Sequence, residues 1–165
     1  MFRTSLCALF LVASNSLALA QGADVALGIS SFDPSLPVEV TADELSIDQT
    51  TGAAVFEGNV LVVQGDIRMS AGLITVIYST DESGAADGIS ELRASEGVTV
   101  VTPTDAAEAA EAVYAVDSGL VTMAGDVLLT QGQTALSGEQ LTLDLNAGTG
   151  RMEGRVRTIF GGGQN

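Results

Sequence analysis

"FEGNVLVVQG", residues 56–65, returns 67 positions later as "MAGDVLLTQG", residues 123–132. Gly58, Val60, Leu61, Gln64 and Gly65 are matched by Gly125, Val127, Leu128, Gln131 and Gly132. A glycine just ahead of a β-branched run is where a strand bends or bulges, and the Gln-Gly ending reads as a turn. Flanking runs alternate. In "LTLDL", Leu141, Leu143 and Leu145 share a face that Thr142 and Asp144 avoid; in "ELSID", Leu45 and Ile47 oppose Glu44, Ser46 and Asp48. Period-two alternation is that of a strand with one dry face.

Working outward, each copy covers roughly 40 residues: a strand, a turn, the Gly-[Asn/Asp]-Val strand, another turn, and a strand at 73–78 or 141–145. "LRASEGVTVV" is a weaker third echo through Gly97, Val98 and Val100, and "QTTG", "DESGAADG", "VDSG" and "NAGTG" supply turn chemistry. The class is therefore all-β, with two copies making two stacked layers. "DAAEAAEAVYA", residues 105–115, pulls the other way, because it is Ala- and Glu-rich and Asp105 with Glu108 fits a helical capping box. Aligned with "ADELSID", however, its end places Tyr114 and Val116 where Leu45 and Ile47 stand. The expectation is a strand from about Val113 to Val116, with a helical turn allowed before it.

Residues 1–20 carry one Arg, a short apolar run and an Ala-x-Ala ending, the features of a cleaved export signal. The apolar run falls short of the roughly 20 residues that cross a bilayer. Residues 21–37, with Pro34 and Pro37, show no sustained period and read as a flexible leader; the folded domain is expected over 38–158, followed by a Gly-rich tail at 159–165. The chain has net charge −15, six Arg, no Lys and no His. Nucleic acid is excluded as a partner, since its binding rests on cationic neutralisation of phosphates.

Catalytic chemistry has little to work with. Cys7, in the signal segment, is the single cysteine, so imidazole, thiolate and amine chemistry are absent from the exported chain and no cofactor or metal is expected. "AVDSGL", residues 115–120, has the form of an aspartic-protease turn, but "SIDQTTG" in the first copy lacks the second Asp-Thr/Ser-Gly, and the mechanism needs two carboxylates. Asp81, Glu82 and Asp87 offer oxygen ligands for calcium in a spacing that fits no known loop, so a solvated hairpin tip is favoured. Met69, Met123 and Met152 read as gap-fillers in a core.

From Asp33 to Gly154 the ordered series resembles the LptA/OstA-type family of periplasmic lipopolysaccharide-transport bridge proteins: a Pro-then-strand entry, an Ala-Asp-x-Leu strand, a Gly turn, the Phe-x-Gly-Asn-Val core with its Gln-Gly turn, then a further strand, with a second half to match. The resemblance implies a β-jellyroll open at both ends, an apolar interior that shields the lipid A acyl chains of lipopolysaccharide, and copies stacked head to tail between inner-membrane and outer-membrane partners of the same system. It implies a periplasmic carrier and no enzyme. By repeat parity the lining comprises Leu45, Ile47, Phe56, Val60, Val62, Ile74, Val76 and Tyr78, then Val98 and Val100, then Tyr114, Val116, Met123, Val127, Leu129, Leu141, Leu143 and Leu145. Glu39, Asp43 and Glu44 near the first strand, set against Arg151, Arg155 and Arg157 near the last, are the candidate partner-binding charges. The alternative is a β-rich periplasmic scaffold or adhesion module with a closed core and no lipid ligand.

Overall fold

The computed structural model describes residues 22–28 and 32–161; the expected signal segment, Gln21 and residues 162–165 lie outside the described residues. The strands are β1 Ala23–Ala26, β2 Glu39–Thr41, β3 Glu44–Ile47, β4 Ala54–Gln64, β5 Ile67–Thr80, β6 Ala86–Ser95, β7 Val98–Val101, β8 Asp105–Ala109, β9 Glu111–Ala115, β10 Leu120–Gln131, β11 Thr134–Asp144, β12 Thr149–Glu153 and β13 Arg157–Phe160. All thirteen join one antiparallel sheet.

From β2 onward the sheet is a ladder of eight folded rungs: β2 with β3, then β4, β5, β6 with β7, β8 with β9, β10, β11, and β12 with β13. Four rungs make one copy of the sequence repeat. Every rung bends or breaks at the same level, and in β4 and β10 the repeated Gly-[Asn/Asp] pair makes the bend. Glu57 faces Leu73 and Val60 faces Ala71, so Gly58 and Asn59 together oppose Gly72 alone; Gly125 and Asp126 likewise oppose Glu139. These are β-bulges, with φ of 75° and 48° in the first copy and 86° and 49° in the second. Glycine comes first because a Cβ at 125 would stand 2.7 Å from the Ala110 Cβ; Asn or Asp follows because those side chains tolerate the left-handed region.

Beyond the bulge each long strand changes partner. β4 pairs with β3 before it and β2 after it, and β10 with β9 before and β8 after. The ladder thus folds into two layers joined along the bends, and each layer takes strands from both copies of the repeat, not one layer from each copy as expected, because every rung crosses the bend. Layer one holds β3, β6, β9 and β12 with the adjoining parts of the long strands, and layer two holds β2, β7, β8 and β13 with the rest. Their inner faces share one core, in which Ile74, Leu92, Met123, Leu141, Leu143 and Met152 are fully buried. On the far side from the bends the two layers meet again along a mouth lined by turns.

Three boundaries differ from expectation. No helical turn precedes Val113: β8 and β9 run from Asp105 with a single break at Ala110, because pairing on both sides, to β7 and β6 and to β10, overrides the helical preference of alanine. The leader is structured before Val38. Ala23, Val25 and Leu27 alternate inward, β1 pairs with β12, and Leu27 is buried in the core; so short a pattern stands out only once an edge exists to receive it. At the other end β13 runs on to Phe160, into the expected tail, where it pairs with β11.

Candidate functional site: an apolar trough with a bridged mouth

Most of the residues expected on the inner faces are buried. Val60, Val62, Ile74, Val76, Val98, Val100, Tyr114, Met123, Val127, Leu129, Leu141, Leu143 and Leu145 are buried between the layers, and Phe56 and Val116 are half-buried against them. Three stand apart. Leu45 and Ile47 lie opposite Phe56 and Ala54 on the inner face, yet they are 56% and 58% exposed, because β3 pairs on one side only among the described residues. Tyr78 is exposed near the mouth end of β5. The lining also includes Leu92, Val121 and Leu136, which parity did not single out: Leu92 lies in β6 beyond the "DESGAADG" turn, and inward parity in β11 shifts by one residue across the bend.

The interior is filled by its own side chains. A crevice of ≈ 20 Å³ among Val62, Gln64, Ile67, Met69, Val100, Tyr114, Val121 and Leu145, room for about one water molecule, lies between the layers.

At the mouth, polar side chains bridge the layers. Tyr114 in layer one donates its hydroxyl to Gln64 Oε1 in layer two at 2.6 Å, and Gln64 Nε2 donates to the carbonyls of Pro34 and Leu36 at 3.3 and 3.0 Å. Its repeat partner Gln131 donates Nε2 to the Ala26 carbonyl at 2.8 Å and to Asp105 Oδ1 at 3.0 Å. Asp105 is buried at 7% exposure and its Oδ2 accepts from the Gly28 amide at 2.8 Å, Thr104 Oγ1 at 3.0 Å and Thr102 Oγ1 at 3.3 Å. The repeated Gln-Gly ending is thus more than a turn: each glutamine holds part of the N-terminal segment over the mouth. Burial pushes the Tyr114 phenol up to about 12.

The other candidate chemistry resolves into turns. Ser118 Oγ donates to the Ala115 carbonyl and Asn146 Nδ2 to the Ser118 carbonyl, so "VDSG" is a tied hairpin corner. The Asp81 carboxylate caps its own turn through the Ser83 hydroxyl and the Ala85 amide, which hold it below the usual carboxylate range. Among the described residues no cluster of three or more His, Cys, Asp or Glu side chains is placed to hold a metal. Of the terminal cations, Arg151 already pairs with Asp24 at 3.0 Å and Glu153 at 3.3 Å, and Arg155 pairs with Glu139 at 3.4 Å. Glu39 and Glu44 lie on exposed β2 and β3, while Asp43 Oδ2 accepts from Asn59 Nδ2 at 2.7 Å.

Comparison with known proteins fits this geometry. Residues 39–149 match the model of the LptA/(LptD N-terminal domain) LPS transport protein family. Over 86% of the chain there is 28% identity to an uncharacterized protein of Rhizobium meliloti, covering 80% of it, and 25% identity to the lipopolysaccharide export system protein LptA of Escherichia coli, covering 76% of that protein. The crystal structure of LptH, the LptA-homologous periplasmic component of the lipopolysaccharide transport device of Pseudomonas aeruginosa, superimposes with a TM-score of 0.66 at 18% identity, over 79% of this chain and 99% of that one. The chain belongs to the LptA/(LptD N-terminal domain) family of lipopolysaccharide transport proteins.

Proposed function

We propose that this family member is a periplasmic carrier that holds the acyl chains of lipid A between its two layers and stacks end to end to span the space between inner- and outer-membrane components. One observation carries the reading: two predominantly apolar faces are continuous with each other along the bends, while the mouth is bridged by a few hydrogen bonds that can be broken. Burying a methylene is worth about 0.8 kcal/mol, so acyl chains do not cross water unescorted. Since the interior is packed with buried side chains and the crevice beside Tyr114 has room for about one water, lipid enters by parting the layers at the mouth and replacing side-chain contacts with acyl contacts of the same apolar kind. With net charge −15 and no Lys, the phosphorylated sugars stay outside. A carrier of this kind needs no reacting group.

The filled interior is also what a closed-core scaffold has. A photo-crosslinking residue at Val62 or Leu143 separates the two, against controls at Thr142 and Asp144 on the outer face of β11. Capture of lipopolysaccharide in cells from the inner positions alone is the expected result. Equal capture from both faces, or none from either, removes the carrier reading and leaves the scaffold.

A further inference from the structure

The two ends of the ladder do not match. At the first end, among the described residues, β2 and β3 each pair with β4 only, so both layers present an open edge. At the last end β13 pairs with β11 alone among the described residues and presents an open edge in layer two, whereas the layer-one edge, β12, is covered by β1 from the chain's own N-terminal segment. Without β1 the ends are complementary. Eight is an even number of rungs, so the last rung runs from layer one to layer two and the first from layer two to layer one; set beside each other, they are antiparallel.

β1 occupies the place that β3 of a following copy takes in such a stack. It runs from the bend toward the mouth, with Ala23 opposite Met152 and Ala26 opposite Thr149, and β3 runs the same way from Glu44 to Ile47. The side chains correspond. Val25 and Leu27 face inward where Leu45 and Ile47 would, and Asp24, ion-paired to Arg151, stands where Glu44 would. The more exposed apolar pair, Leu45 at 56% and Ile47 at 58%, is what β3 gains by docking.

We infer that β1 is an internal stand-in for β3 of a second copy: it covers the assembly edge of the isolated chain and gives way when another copy docks. The inference rests on the end-to-end stacking proposed above. It also gives Arg151 two successive acidic partners, Asp24 within the chain and Glu44 of the neighbour. Unpaired backbone groups on an uncovered β12 would otherwise be a general template for strand addition, and β1 limits that addition to a strand able to displace it.

Ala26→Cys with Thr149→Cys tests it, since directly opposed positions lie within disulfide reach and Arg151 is left intact. Sedimentation velocity of the exported protein, oxidised and reduced, is compared with Leu27→Asp, which loosens β1. The oxidised pair should remain monomeric at concentrations where the reduced pair associates, and Leu27→Asp should associate at least tenfold more tightly than the parent. Equal association of all forms overturns the stand-in role while leaving stacking intact. Tighter association of the oxidised form overturns it too, because β1 is then itself the docking strand. No association of any form, at any concentration, overturns the stacking on which it rests.

Discussion

The Tyr114 hydroxyl donates to Gln64 Oε1 at 2.6 Å and so ties the mouth end of β9 in layer one to that of β4 in layer two. Both side chains are buried, and Gln64 passes the connection on to the Pro34 and Leu36 carbonyls. Removing one partner of a buried pair strands the other. Tyr114→Phe should therefore cost about 1–3 kcal/mol in urea unfolding. Gln64→Leu combined with Tyr114→Phe should cost less than the sum of the two single changes; strict additivity would show that the bond contributes nothing across the mouth.

Raising the pH tests the same side chain. An unfolded phenol loses its proton near pH 10, whereas the buried Tyr114 holds it to about 12. Between these values the folded chain binds the extra proton. Its contribution is fully present below pH 10 and lost as pH rises to 12, by as much as about 3 kcal/mol. The stability difference between the parent and Tyr114→Phe should shrink over that window, and a constant difference would contradict the burial.

Asp105 is the second fastening. Its carboxylate accepts from Gly28, Thr102, Thr104 and Gln131, so Asp105→Ala leaves several donors unpaired. Hydrogen exchange should quicken at the Leu27 and Gly28 amides while amides beside the bends, such as that of Asp43, keep their protection. Asp105→Asn, which retains one acceptor oxygen, should fall between the parent and Ala. Uniform quickening across the chain would mean that Asp105 supports the whole domain and not the N-terminal segment.

The bends yield a comparison between glycines. Gly52 and Gly125 both have positive φ, at 72° and 86°, but a Cβ at 52 meets nothing within 4 Å and one at 125 meets Ala110 at 2.7 Å. Gly52→Ala should cost about 1 kcal/mol, the conformational term alone. Gly125→Ala should cost about 2–4 kcal/mol, because the overpacked contact adds to it. Thermal unfolding of the two variants decides it, and equal losses would remove the packing argument for glycine at the bulge.

Much of this architecture is legible in the sequence. The repeat at Gly58 and Gly125 locates the bulges, and the alternation through Leu141, Leu143 and Leu145 assigns the inner face of β11, because a strand's side-chain period is a local property carried by neighbouring residues. Burial and partner choice are not local. Leu45 alternates as cleanly as Leu143, yet it stays exposed because no strand among the described residues lies beyond β3. Gln64 and Gln131 match across the repeat, but their hold on Pro34, Leu36 and Ala26 depends on a segment that returns from the opposite end of the ladder. The same holds for β1: its inward pattern of Ala23, Val25 and Leu27 acquires meaning only from β12, more than a hundred residues away. Hydrophobic period is written residue by residue, whereas an edge and its occupant exist only once the distant strands have paired.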